Sequence, residues 1–256
     1  MTRALRRICG RLTGRLTISA VVLVLLTSIF PHIHTGADRV NRFHPSDFHF
    51  ARIRFRTLDY SNYFPQMPPW AHDYPRADRN FLKILAEVTQ IRCDSESYQL
   101  VSLENDEIFK YPWAYMCEVG YMDLTDKEAA TLRAYLDRGG FVVVDDFRGA
   151  REWNNFTRNM RKVYPDRGFQ ELELNHPVFQ CFYSIKTLDF VPPYDEFLKV
   201  HFLGMSDEKG RLQMIANFNN DIGEYWEWSD TEWVPLNLSN EAYKFGVNYV
   251  MYALTH

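Results

Sequence analysis

Arg138-Gly139-Gly140-Phe141-Val142-Val143-Val144-Asp145-Asp146-Phe147-Arg148-Gly149 is the stretch that decides how this chain folds. Phe141 and three valines in succession read as a strand buried on both faces, the mark of a parallel α/β sheet. The apolar run stops on two carboxylates, and open sheets of this class bind ligands just beyond the carboxyl ends of their strands. Asp145 and Asp146 are therefore candidate catalytic residues. Neighbouring strand residues point to opposite faces, so these two stand side by side only if the chain turns between them. Either can hold a metal or act as a general base. The competing reading has them pairing with Arg148 or Arg151, or capping the next helix.

On the N-terminal side of this stretch, Thr125-Asp126-Lys127-Glu128 has the form of a capping box and opens a helix that runs to Arg138 and stops on Gly139-Gly140. A strand over 113–119 precedes it, behind an irregular stretch. Further upstream, 50–55 (FARIRF) alternates apolar and basic residues as a half-exposed strand does, and 76–89 repeats apolar residues at helical spacing. Between them lies a loop over 57–75, rich in proline and aromatic residues. Loops this long after a first strand tend to lie over a binding face. Downstream, the pattern predicts a helix over 152–163, a strand over 169–174, strands over 200–205 and 212–217 joined by Asp207-Glu208-Lys209-Gly210, and a last helix over 240–254. Strand and helix alternate, which predicts a doubly wound, mostly parallel α/β sheet.

The N-terminus has a different character. Arg3, Arg6, Arg7, Arg11 and Arg15 precede the apolar run 18–30, so residues 1–37 read as a signal peptide or signal-anchor, 38–49 as a linker and 50–256 as a single α/β domain. This predicts an exported protein, periplasmic or anchored in the cytoplasmic membrane and facing the periplasm, with membrane contact through 18–33 if the signal is not cleaved. Setting aside 1–37 removes five arginines and no acids, which takes the formal charge from −4 to −9. So acidic a domain repels phosphate backbones, which argues against nucleic acid as a partner. The four cysteines, at 9, 93, 117 and 181, show no CxxC spacing and signal neither a zinc site nor a disulfide framework.

Three more groups are candidate ligand-binding residues. The segment 217–228 (NFNNDIGEYWEW) contributes Asn219, Asn220, Asp221, Trp226, Glu227 and Trp228. Amides and carboxylates beside indoles suit a sugar, while the glycine position and Trp228 at the twelfth place fit a calcium loop poorly. Alternatively, this is an Asx-rich turn with the tryptophans packed inside. The loop and helix start 72–80 (HDYPRADRN) contributes Tyr74, Arg76 and Asp78, and in a doubly wound sheet it faces the end of strand 141–145 across the crevice. A helix cap at Asp78 with surface arginines is the competing reading. His176, before Pro177, is a further candidate, although a hydrogen-bonded corner explains it as well. No metal or cofactor is specified by spacing.

FARIRF, DYPRADRNFLKILAEVT, FKYPWAYMCEVG, LTDKEAATLRAYLDRGGFVVVDDF, EWNNFTRNMRKVYPDR, HPVFQCFY, NFNNDIGEYWEW and FGVNYVMYALTH, in this order, resemble the bacterial domain-of-unknown-function family 4159 (DUF4159) over about residues 48–256. The resemblance implies a class I glutamine-amidotransferase-like or flavodoxin-like fold and an export signal or membrane segment, and it brings no reaction. The amidotransferase-like enzymes carry a cysteine in a Gly-x-Cys-x-Gly turn, which this chain lacks; Asp145-Asp146 stand in its stead. Two functions follow as expectations. One is a cell-envelope binding or scaffold module for a glycan, peptide or partner protein. The other is a hydrolase using the strand-end carboxylates, with or without a divalent metal.

Overall fold

The computed structural model describes residues 47–58, 67–195 and 197–256. The expected signal or anchor over 1–37 and most of the linker over 38–49 lie outside the described residues. Among the described residues no helix is long and apolar enough to cross a membrane.

The elements run β1 (Phe50–Arg54), α1 (Arg76–Val88), β2 (Tyr98–Ser102), β3 (Trp113–Cys117), α2 (Asp126–Asp137), β4 (Phe141–Asp145), α3 (Gly149–Val163), β5 (Gln170–Glu171), β6 (His201–Ser206), β7 (Leu212–Phe218), α4 (Ile222–Glu227) and α5 (Leu236–Thr255). The sheet has seven strands in the order β2-β1-β3-β4-β7-β6-β5. The first five in that order are parallel, and two antiparallel pairings, β7 with β6 and β6 with β5, complete the sheet. This is the mostly parallel α/β sheet that the valine run implies.

The reason is visible in the packing. Phe141 and Val143 face a core shared with α1, α4 and α5, and Val142 and Val144 face a second core shared with α2 and α3. A strand with no wet face needs apolar side chains in both directions, hence no alternation. The capping box at α2 forms in full: Glu128 N–H donates to Thr125 Oγ1 (3.1 Å) and Thr125 N–H to Glu128 Oε2 (2.8 Å). Asp207 closes the β6–β7 turn, with Gly210 at φ 83°.

Three elements differ from the sequence expectation. β2 lies in the stretch read as irregular, because as an edge strand it is only partly buried and carries a weak pattern. The strand expected over 169–174 shrinks to Gln170–Glu171, the outermost pairing of the sheet. Residues 222–227, read as part of a turn, form α4. Strand order reverses between β1 and β3, and the carboxyl ends of β1, β3, β4 and β7 converge there, the usual position for a ligand crevice.

Candidate functional site: a carboxylate-rich centre at the strand ends

The floor of the site is an arginine. Arg52 was expected on the wet face of a half-exposed strand, but β1 is interior to the sheet and Arg52 is 1 % exposed. Its guanidinium grips Asp78, in the first turn of α1, with both carboxylate oxygens (Nε–Oδ1 3.1 Å, Nη2–Oδ2 2.7 Å). Its remaining nitrogen donates to the carbonyls of Trp70 (3.3 Å) and His72 (2.9 Å) and to Cys117 Sγ (3.0 Å). A buried bidentate pair with all three nitrogens engaged is the arrangement that makes an interior guanidinium tolerable. Its consequence is positional: the loop carrying His72 and Asp73 is tied to the ends of β1 and β3.

Asp145 is the second fixed point. It accepts hydrogen bonds from Tyr115 Oη (2.8 Å), Asn217 Nδ2 (3.0 Å) and the backbone N–H of Gly223 (3.0 Å), so it joins β3, β4 and β7 to the start of α4. Burial pushes this carboxyl up to about 7, with Asn217 and Tyr115 pulling against it and Asp146 adding to it. Asp146 goes elsewhere. Its φ of 50° turns the chain, and its Oδ2 lies 2.7 Å from His72 Nδ1.

Asp73, Glu118, Asp146 and Asn219 are the non-glycine residues with positive φ among the described residues (63°, 52°, 50° and 59°), and all four stand at this edge of the sheet. Such conformations cost about 1–3 kcal/mol each and persist where the surroundings enforce them. Glutamate tolerates the left-handed region less well than aspartate or asparagine, which makes Glu118 the most strained of the four. Glu118 follows β3 directly, and its Oε1 lies 3.9 Å from His72 Nδ1.

Charge is the dominant fact of the site. Ligand atoms of His72, Asp73, Asp146 and Asp221 lie within 4.8 Å of one another, and those of Asp73, Glu224 and Glu227 form a second such group. Burial, then Asp146, pushes Glu118 up to about 10. Burial holds Asp73 and Asp221 well above the ordinary carboxylate range, with Asp146 reinforcing both. Burial opposes the charge of His72, but its hydrogen bond to Asp146 and the charges of Asp73, Asp146 and Glu118 push it up to about 10. Both oxygens of Asp73 are buried with no hydrogen-bond donor, and the Tyr194 hydroxyl and the Asn220 side-chain amide are likewise buried and unpartnered. Clustered carboxylates without donors call for protons or for a cation. An imidazole among carboxylates is a donor set that first-row divalent ions accept.

With this geometry in view, the comparisons place the chain. A family model described as a domain of unknown function, DUF4159, matches residues 49–254. The chain belongs to the DUF4159 family. Comparison of this DUF4159 chain with curated proteins gives no match.

Of the residues expected at a site, the DUF4159 domain brings together Asp145, Asp146, Asn220, Asp221 and Glu227. Asp221 has two tasks, since its Oδ1 also accepts the Glu224 N–H and so caps α4 (2.8 Å). Asp78 is nearby but committed to Arg52, and Asn219 is committed to Gly149 N–H and the Lys199 carbonyl. Tyr74 packs edge-on against Tyr98. Arg76 pairs with Asp230 (2.8 Å) and covers the Trp228 ring (4.6 Å). Trp226 is fully buried in the core, against Phe81. His176 Nδ1 accepts the Val178 N–H in a turn packed on α5, away from the centre.

His72, Asp73 and Glu224 lie in the quoted segments without being singled out, and Glu118 lies inside the stretch read as strand 113–119. A signal for Glu118 did exist. Cys117-Glu118 repeats the pattern of Val144-Asp145: a wholly apolar strand that meets an acid at the carboxyl edge.

Proposed function

We propose that this DUF4159 chain is a divalent-metal-dependent hydrolase centred on His72, Asp73, Asp146 and Asp221. The observation that carries the reading is Asp73: 5 % exposed, without a donor on either oxygen, and inside a group of ligand atoms that fit around one ion. A bound divalent ion would polarise a scissile carbonyl or phosphoryl oxygen and lower the pKa of a water molecule. The chain's own residues supply the rest. Arg52 fixes the loop that presents His72 and Asp73, and Asp145 fixes the start of α4 and with it Asp221. Glu118, beside His72 but outside the ligand group, is the candidate proton carrier: the hydroxyl of water bonds to the electrophile while Glu118 conveys a proton to the leaving group. The order of the parallel strands, 2-1-3-4 followed by β7, supports a flavodoxin-like reading of the sheet, whose ligands bind at the β1/β3 switch.

The test is titration of the chelator-stripped chain with Mn²⁺ and Zn²⁺ by calorimetry, followed by hydrolysis assays on chromogenic esters and phosphoesters. Saturable binding abolished by Asp73→Asn, together with metal-dependent turnover, is the expected result. A chain that binds neither ion overturns the proposal.

A second reading, an envelope binding module for a glycan, peptide or protein partner, has its own support: Trp233, 76 % exposed and 5.6 Å from the Arg76-covered Trp228, offers an indole face for stacking. Muropeptide or oligosaccharide titration monitored by tryptophan fluorescence tests it, and no quenching in the wild type removes it. Action outside the cytoplasm, under either reading, rests on the signal-like segment 1–37.

A further inference from the structure

We infer that the centre holds a second divalent cation, bound by Asp73, Glu224 and Glu227, with Asp73 bridging the two ions. This rests on the reading of His72, Asp73, Asp146 and Asp221 as a metal centre and deepens it.

Helix α4 presents two of the three carboxylates. Glu224 and Glu227 are three residues apart on this helix, so their side chains leave the same face. That face is held in place from below. The Gly223 N–H is bound to Asp145 and the Glu224 N–H to Asp221, so the first turn of α4 is anchored at two successive residues. Gly223 lets the helix start come close to Asp73: a Cβ at this position would stand 2.7 Å from Asp73 Oδ2. The result is three carboxylates whose oxygens lie within 4.8 Å of one another, Asp73 buried and the two glutamates half-buried.

Asp73 is the independent pointer to a ligand. A carboxylate has two oxygens and room for several donors, and here neither oxygen has one although both are buried. The imidazole of His72 lies on the side of the first group, with Nδ1 3.6 Å from Oδ1. On the side of α4, Asp73 meets only further carboxylates within that group. The nearby guanidiniums are engaged elsewhere, Arg76 with Asp230 and Trp228 and Arg52 with Asp78. Negative oxygens facing one another across a short gap are held either by shared protons or by a cation, and one carboxylate common to two ligand groups is how paired-metal centres are bridged. The donor set differs between the two positions. The first contains an imidazole, whereas the second is all oxygen and more open, which favours Mn²⁺ or Mg²⁺ and a weaker, exchangeable ion.

Mn²⁺ alone is the probe. The full chain is stripped with chelator and titrated with Mn²⁺, bound ions are counted by equilibrium dialysis, and the electron paramagnetic resonance spectrum is recorded. Two ions per chain and an exchange-coupled spectrum are expected for the wild type. Glu227→Gln, and separately Glu224→Gln, should each leave one tight ion and an uncoupled six-line signal, and Asp73→Asn should lose both ions. Because the glutamates are half-buried on a short helix, circular dichroism of both variants checks that the fold is kept. One ion in the wild type, unchanged in Glu224→Gln and Glu227→Gln, overturns the second site and leaves the single-ion centre standing. No bound ion overturns both.

Discussion

Arg52→Met should be the most damaging single change near the site, and its cost can be worked out from the contacts. The substitution removes five donor contacts at once: two to Asp78, one to each of the Trp70 and His72 carbonyls, and one to Cys117 Sγ. Asp78 is 0 % exposed and would be left with no cation. Breaking a buried pair by removing one partner costs about 3–5 kcal/mol, chiefly because the other charge stays buried. The pair itself contributes far less, since its attraction is offset by the desolvation of both ions. Arg52→Met/Asp78→Leu should therefore recover much of the loss and stop about 1–3 kcal/mol short of wild type, the cost of leaving the Trp70 and His72 carbonyls only the weak Cys117 thiol as a donor. Urea unfolding in chelator at neutral pH measures all three proteins. Both variants should also bind Mn²⁺ about 10–100-fold more weakly, the usual effect of losing a group that orients a ligand, because the loop carrying His72 and Asp73 has lost its anchor. A single variant costing under about 1 kcal/mol, or a double variant no more stable than the single one, would refute the reasoning.

Gly223→Ala places a methyl group 2.7 Å from both Asp73 Oδ2 and Tyr115 Oη; overpacking of this kind costs about 1–3 kcal/mol, and thermal shift with and without Mn²⁺ should show lower stability and weaker binding. Glu118→Gln should keep Mn²⁺ binding while turnover falls by about 10²–10⁴-fold, and Mn²⁺ binding lost with it would make Glu118 a ligand instead. Glu118→Gly relieves the left-handed backbone and should stabilise the chelated protein by about 1 kcal/mol, read by urea midpoint; a lower midpoint removes the strain argument. The pH dependence has a definite sign. The folded chain holds Asp145 up at about 7, and Glu118 and His72 up at about 10, each above its ordinary value. The folded state thus binds more protons than the unfolded state from about pH 4 upward, and stability in chelator must fall as pH rises. The urea midpoint should be higher at pH 5 than at pH 8, and the reverse order would contradict these assignments.

How much of this was legible in the sequence depends on the kind of signal. Val142-Val143-Val144 revealed a strand buried on both faces because burial on two sides leaves no position for a polar residue, and Thr125 with Glu128 revealed a helix start because a capping box is complete within four residues. The place of Asp145 and Asp146 at the carboxyl edge was legible because the apolar run of β4 stops on them. FARIRF was misread for a physical reason. Alternating basic residues look solvated in one dimension, and only the arrival of Asp78 from α1 shows that Arg52 is neutralised in the interior. The short helix α4 escaped because six residues carry too little periodicity to be told from a turn.

Apart from β2 and α4, the order of strands and helices, the mostly parallel sheet and the edge where a site would form were legible in local patterning, since burial and capping write themselves into neighbouring residues. Which carboxylates meet was not. That Asp145 and Asp146 part company follows from strand alternation, but the partner each finds does not: Asp146 meets His72 from 74 positions away. Asp73 is shared between two groups of ligand atoms only because α4 starts against it at Gly223. A centre of this kind is a property of distances between remote segments, and those distances exist only once the sheet has brought the ends of β1, β3, β4 and β7 to one edge.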